Sequence, residues 1–128
     1  MRLLLDTHIL LWALIEPGRL DSDLRDILES PEHTVLFSAA SVWEMSIKAA
    51  LGRADFKVAP NRIVAEALDV GFEELPVRSA AALAVATLPH HHRDPFDRLL
   101  VAQAMTEPAR LYTADAALAV YSELVVRV

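Results

Sequence analysis

The chain has 128 residues, 54% of them hydrophobic, a formal net charge of −6 and no cysteine. That length supports one globular domain over residues 1–128, with a core that needs no disulfide or structural metal. Without cysteine, thiolate zinc, iron–sulfur and disulfide-framework chemistries are excluded, and an acidic balance argues against nucleic-acid binding by bulk electrostatics.

The first element is a short strand, "RLLL" at 2–5, followed by a helix, "THILLWALI" at 7–15. Together they superficially resemble a signal peptide. Asp6 and His8 interrupt the apolar stretch, however, and the longest apolar run, Ile9 to Ile15, is too short to span a bilayer. A cytoplasmic protein without a membrane anchor is expected. "SDLRDILES" (22–30) has apolar residues at helical spacing and stops at Pro31. "TVLFS" (34–38) is a β-branched, apolar strand, and the helix "ASVWEMSIKAALG" (40–52) follows it, with Gly52 closing it. A helix over 61–71 and a weaker strand over 72–77 come next. "SAAALAVATL" (79–88) and "DPFDRLLVAQAMTE" (94–107) are helices that end at Pro89 and Pro108. The remainder reads as strand 109–113, short helix 115–121 and strand 123–128. Strands alternating with helices require crossover connections. The expected fold is therefore an α/β, three-layer α/β/α sandwich around a mostly parallel sheet.

In such a sheet ligands bind outside the carboxyl ends of the strands, which gives the acids positional meaning. Asp6 directly follows the first strand, and Asp115 follows "RLYT" after one alanine. Glu44 lies in the first turns of the helix after "TVLFS", while Asp94 and Asp97 open the helix before "RLYT". Four of these five can converge on one edge. Each also has a purely structural reading. Asp6 and Asp115 suit N-caps. "SVWE" (41–44) fits a capping box with Ser41 as cap, and "DPFD" (94–97) fits another, with Asp94 as cap and Pro95 at the first helical position. Carboxylates gathered at one edge repel each other, and a divalent cation removes that conflict. Hard oxygen ligands favour Mg²⁺ or Mn²⁺, whose chemistry suits phosphodiester hydrolysis.

Four blocks, "LLLDTHILLWAL", "SAASVWEMSIKAALGR", "HRDPFDRLLVAQA" and "LYTADAALAVY", taken in order, resemble the PIN-domain ribonucleases, specifically the VapC-type toxins of bacterial toxin–antitoxin pairs. The likeness covers essentially the whole chain. It implies that Asp6, Glu44, Asp97 and Asp115 form the catalytic, metal-holding pocket. Thr7 and Thr113 match the hydroxyl positions flanking that pocket, and Asp94 is placed to support it. The resemblance further implies a parallel sheet of about five strands and a homodimer. It also implies Mg²⁺ or Mn²⁺ as cofactor, RNA as substrate and a cognate antitoxin as partner. Two other readings share these residues: a metal-dependent phosphatase or phosphotransferase, and a non-catalytic binding module in which the acids only cap helices.

Of the four basic residues from Lys48 to Arg62, Lys48, Arg53 and Arg62 are candidates for RNA contacts, against the simpler reading of a solvated helix end. His90, His92 and the histidine between them are consecutive, so their side chains diverge and they make a poor metal site. A polar loop before Asp94 is the expected role, with one histidine able to reach substrate phosphate. Trp12, Trp43 and Phe96 read as core or interface, and His8 as a residue of the pocket rim.

Overall fold

The computed structural model describes residues 1–52 and 57–128. In chain order the elements are β1 (Arg2–Leu5), α1 (Thr7–Ile15), a 3-10 turn (Pro17–Arg19), α2 (Ser22–Glu29), β2 (Thr34–Ser38), α3 (Ala39–Ala50), α4 (Pro60–Asp69), β3 (Glu73–Leu75), α5 (Ser79–Val85), α6 (Pro95–Thr106), β4 (Arg110–Thr113), a 3-10 helix (Ala116–Val120) and β5 (Val125–Arg127). The five strands make one sheet in the order β3-β2-β1-β4-β5, and every pairing is parallel. The three-layer sandwich expected from the alternation of elements is the fold observed.

Period-two alternation sends successive strand residues to opposite faces. Leu3, Leu5, Val35, Phe37 and Tyr112 pack with Ile9, Leu10, Met45 and Ile63 in one buried layer. Leu4, Leu36, Leu111 and Val125 pack with Leu100, Val101 and Leu118 in the other. Both faces of β1 are therefore covered, which is why its three leucines run without a polar break. Burying such a side chain contributes about 1.5–3 kcal/mol.

Helix ends follow local chemistry. Asp6, Asp21, Ser38 and Asp94 cap α1, α2, α3 and α6 through side-chain oxygens. Gly52 and Gly71 sit just past α3 and α4 at φ +64 and +97, where a side chain would be strained. Several boundaries differ from the expected ones. The expected strand 72–77 pairs only over Glu73–Leu75, because it is an edge strand with Pro76 next in line. The segment expected as a helix at 115–121 is a five-residue 3-10 helix. The capping box at Ser41–Glu44 does not form. The chain passes from β2 into α3 without a loop, so Ser38 caps the helix by accepting from the Ala40 N–H at 2.9 Å. Ser41 and Glu44 are thereby left inside the helix, both buried.

Candidate active site

Strand order reverses at β1, whose neighbours are β2 on one side and β4 on the other. At this switch point the following segments leave toward opposite faces, opening a crevice beyond the strand ends. Asp6 occupies it. Its Oδ1 accepts from the Ile9 N–H at 2.8 Å, and its Oδ2 accepts from the Thr113 hydroxyl at 2.5 Å. Asp6 is thus both the cap of α1 and a wall of the crevice. Thr113, buried at the end of β4, also accepts from the Asp115 N–H at 3.0 Å. Asp115 caps the 3-10 helix by accepting from Ala117 and keeps its other oxygen toward the crevice.

Two helices deliver the remaining acids. In α6, Asp97 lies one turn before Leu100 and Val101, on the stripe that packs against the sheet, so it projects just past the sheet's edge. Asp94 caps α6 by accepting from the Phe96 N–H at 2.9 Å, as its place before Pro95 leads one to expect. α6 is tied to the β2–α3 junction by a buried contact of 2.5 Å between the Ser38 hydroxyl and Gln103 Oε1. On α3, Glu44 accepts from the Thr7 hydroxyl at 2.7 Å and from Lys48 Nζ at 2.9 Å. Ser41 lies 2.9 Å from the same Thr7 hydroxyl. Asp6, Asp97 and Asp115, together with His8, Trp12 and Ala114, line a cleft of about 320 Å³. Glu44 stands behind this wall, in the Thr7–Lys48 network.

The carboxylates sense one another. Burial, followed by the fields of Asp94, Asp6 and Glu44, pushes Asp97 up to about 7. Asp6 is also raised, mainly by burial, although the bonds from Thr113 and Ile9 oppose the rise. Asp115 is lowered by the Ala117 N–H and by His92. A cation within the cleft would relieve the conflict at Asp6 and Asp97, and the donor set of hard oxygens fits a divalent ion. Asp6, Asp97 and Asp115 line the cleft that such an ion would occupy.

His92, which the sequence marks only as part of a histidine triplet in a polar loop, joins the acids in the structure. It sits beside the acids, with one ring nitrogen and one oxygen each of Asp97 and Asp115 lying within 4.8 Å of each other. Its tautomer decides what it does. The Asp94 N–H donates to Nδ1 at 3.0 Å, so Nδ1 carries the lone pair and Nε2 the proton. Nε2–H then donates to Asp115 Oδ2 at 2.9 Å and faces Asp97 Oδ2 at 3.7 Å. A protonated nitrogen cannot ligate a metal, so His92 acts as a donor to the carboxylates. Its loop is held by the Tyr121 hydroxyl, which accepts from the His91 and His92 N–H groups at 3.0 and 2.8 Å. Only its place two residues before the Asp94 cap hints at this role in the sequence.

Of the basic residues singled out for RNA, Lys48 is bound to Glu44. Arg62 is exposed on α4 beside Lys57, in a separate depression that Ile15 also lines. Arg53 lies outside the described residues. Trp43 is 61% exposed and meets Phe96 edge-on at 5.3 Å, while His8 lies on the cleft rim. Among the described residues no helix is long and apolar enough to cross a membrane.

Comparison with known proteins extends this geometry. None of the curated proteins matches the chain in sequence. The fold is similar to that in the crystal structure of VapBC2 from Rickettsia felis bound to a DNA fragment from their promoter. That likeness has a TM-score of 0.72 at 13% identity, covering 99% of this chain and 98% of the other. A family model for the PIN domain matches residues 3–124, a span that takes in every acid of the cleft, and the chain accordingly belongs to the PIN domain family.

Proposed function

We propose that the protein is a VapC-type toxin, an endoribonuclease that depends on Mg²⁺ or Mn²⁺ and cuts RNA phosphodiester bonds. The observation that carries this reading is the convergence of Asp6, Asp97 and Asp115 on one cleft at the switch point, with Asp97 pushed up to about 7. A divalent ion held by Asp6, Asp97 and Asp115 would supply an activated water and electrostatic stabilisation of the phosphoryl oxygens. The chain supplies position. Asp6 is held by Ile9 and Thr113, Asp115 by Ala117 and His92, and Glu44 by Thr7 and Lys48. Each carboxylate is oriented before a ligand arrives, so little is lost on ordering it. Asp94 fixes both the start of α6 and the tautomer of His92. The likeness to a chain of a VapBC2 complex supports an antitoxin as protein partner, and a homodimer is the expected assembly.

Metal-dependent cleavage of total RNA, followed by mapping of the cut ends, tests the proposal. Asp6→Asn and Asp97→Asn should each lower the rate by about 100-fold or more, as losses of charge at a reacting centre do, with circular dichroism unchanged. Cutting that persists in either variant, or turnover of a small phosphomonoester without cleavage of RNA, would overturn the assignment.

A further inference from the structure

A second recess adjoins the acidic cleft and has the opposite character. It measures about 440 Å³ and is lined by Val85, His90, His92, Arg93, Pro95 and Arg98, with no carboxylate on its walls. In a chain of net charge −6, such a concentration of cationic and imidazole groups is notable for its position. His92 is the shared wall, since its ring lines the recess while its Nε2–H faces Asp115 and Asp97.

The back of the recess is rigid and positive. Arg98 is 7% exposed. It donates through Nη1 to the Pro89 carbonyl at 2.8 Å and to the Tyr121 hydroxyl at 3.1 Å. Through Nη2 it donates to the carbonyls of Val85 and Leu88 at 3.0 and 3.3 Å. All these partners are neutral, so among the described residues no carboxylate cancels its charge, and a field from a buried charge is weakly screened. Arg93 and His90 are exposed at the mouth, where their donors are free to turn toward an anion. An acidic ligand is repelled by the cleft and attracted by the recess. A polyanionic strand that spans both is best accommodated with one phosphate at the carboxylates, once their charge is neutralised, and the next against the cations.

We infer that the recess bounded by His90, Arg93 and Arg98 is a subsite for a backbone phosphate of single-stranded RNA, adjacent to the phosphate that is cut. This rests on the ribonuclease reading for the identity of the strand. It moves the main RNA contact from Lys48 and Arg62 to the loop before α6. The recess is preformed, so it binds without metal.

The test is fluorescence anisotropy of a short labelled single-stranded RNA with the full chain in EDTA, over a range of salt concentrations, with the strand checked to be intact. Arg93→Glu should weaken binding by about tenfold and make the plot of log affinity against log salt shallower by about 0.7, the value for one phosphate contact on a single strand. Arg93→Lys should remain close to wild type. Arg110→Glu, at the amino end of β4 and so at the opposite edge of the sheet, controls for net charge and should bind within about twofold of wild type. All three should melt at the wild-type temperature. Equal losses in the Glu variants at 93 and 110, no loss at 93, or no binding by the wild type in EDTA would each overturn the subsite. Failure of the ribonuclease reading shows separately, as absence of metal-dependent cutting while the EDTA binding pattern persists.

Discussion

Burial, and then the fields of Asp94, Asp6 and Glu44, raises Asp97 from the ordinary 3.8 to about 7, and this has a sign that can be measured. The folded state holds the proton more tightly than the unfolded chain does. Without metal, stability is therefore lost as pH rises from about 4 toward 7, and the loss is complete above that range. In EDTA at pH 8, Asp97→Asn should melt above the wild type, and the gap should close by pH 4; equal melting temperatures at both pH values would contradict this origin of the shift. Asp6, raised in the same direction, adds to the slope. A second prediction at this scale concerns His92. Nitrogen-15 NMR should find Nε2 protonated, and addition of Mg²⁺ should leave that tautomer in place. Loss of the Nε2 proton on metal addition would make His92 a ligand instead of a donor. Asp6, Asp97 and Asp115 were legible as individual residues because they follow strand ends or open a helix. His92 was not, because its role depends on a hydrogen bond to the Asp94 backbone that periodicity does not reveal.

Helix α6 and the loop before it work as one unit. Asp94 caps the helix, Asp97 faces the cleft, Arg98 turns the other way to grip Val85, Leu88 and Pro89, and Gln103 ties the helix to Ser38. Tyr121 completes the grip, its hydroxyl accepting from His91, His92 and Arg98. Tyr121→Phe leaves those donors without their acceptor. It should cost about 1–3 kcal/mol in denaturant unfolding and speed hydrogen exchange at the His91 and His92 amides. Unchanged exchange would show that the loop is held by something else. Sequence pattern placed α6 well, since its cap, its Pro95 and its apolar stripe all agree. It misplaced the start of α3, because a capping box at "SVWE" and a cap at Ser38 are equally good locally. The direct run of β2 into the helix settles the choice. The 3-10 helix after Asp115 escaped for a related reason: five residues carry too little periodicity to separate it from an α-turn.

Across the whole molecule, a net charge of −6 coexists with a local group of cations because the charges are separated in space. Acids gather in the cleft and cations in the recess, with His92 between them. Occupation of the cleft by Mn²⁺ should stabilise the fold by about 2.7 kcal/mol at a hundredfold excess over Kd. The effect should be larger at pH 8 than at pH 5.5, because metal and proton compete at Asp97. A Tm unmoved by Mn²⁺ at pH 8 would mean that the cleft binds no such ion. The sequence by itself determined the alternation of strands and helices, the two-sided burial of β1 and the placing of acids after strand ends. These follow from local periodicity and capping, which a linear pattern carries. Only the tertiary structure decided that Glu44 stands behind the cleft and that His92 and Arg98 join distant segments. His92 reaches Asp115 across 23 residues of chain and Thr7 reaches Glu44 across 37, and packing in three dimensions sets such meetings.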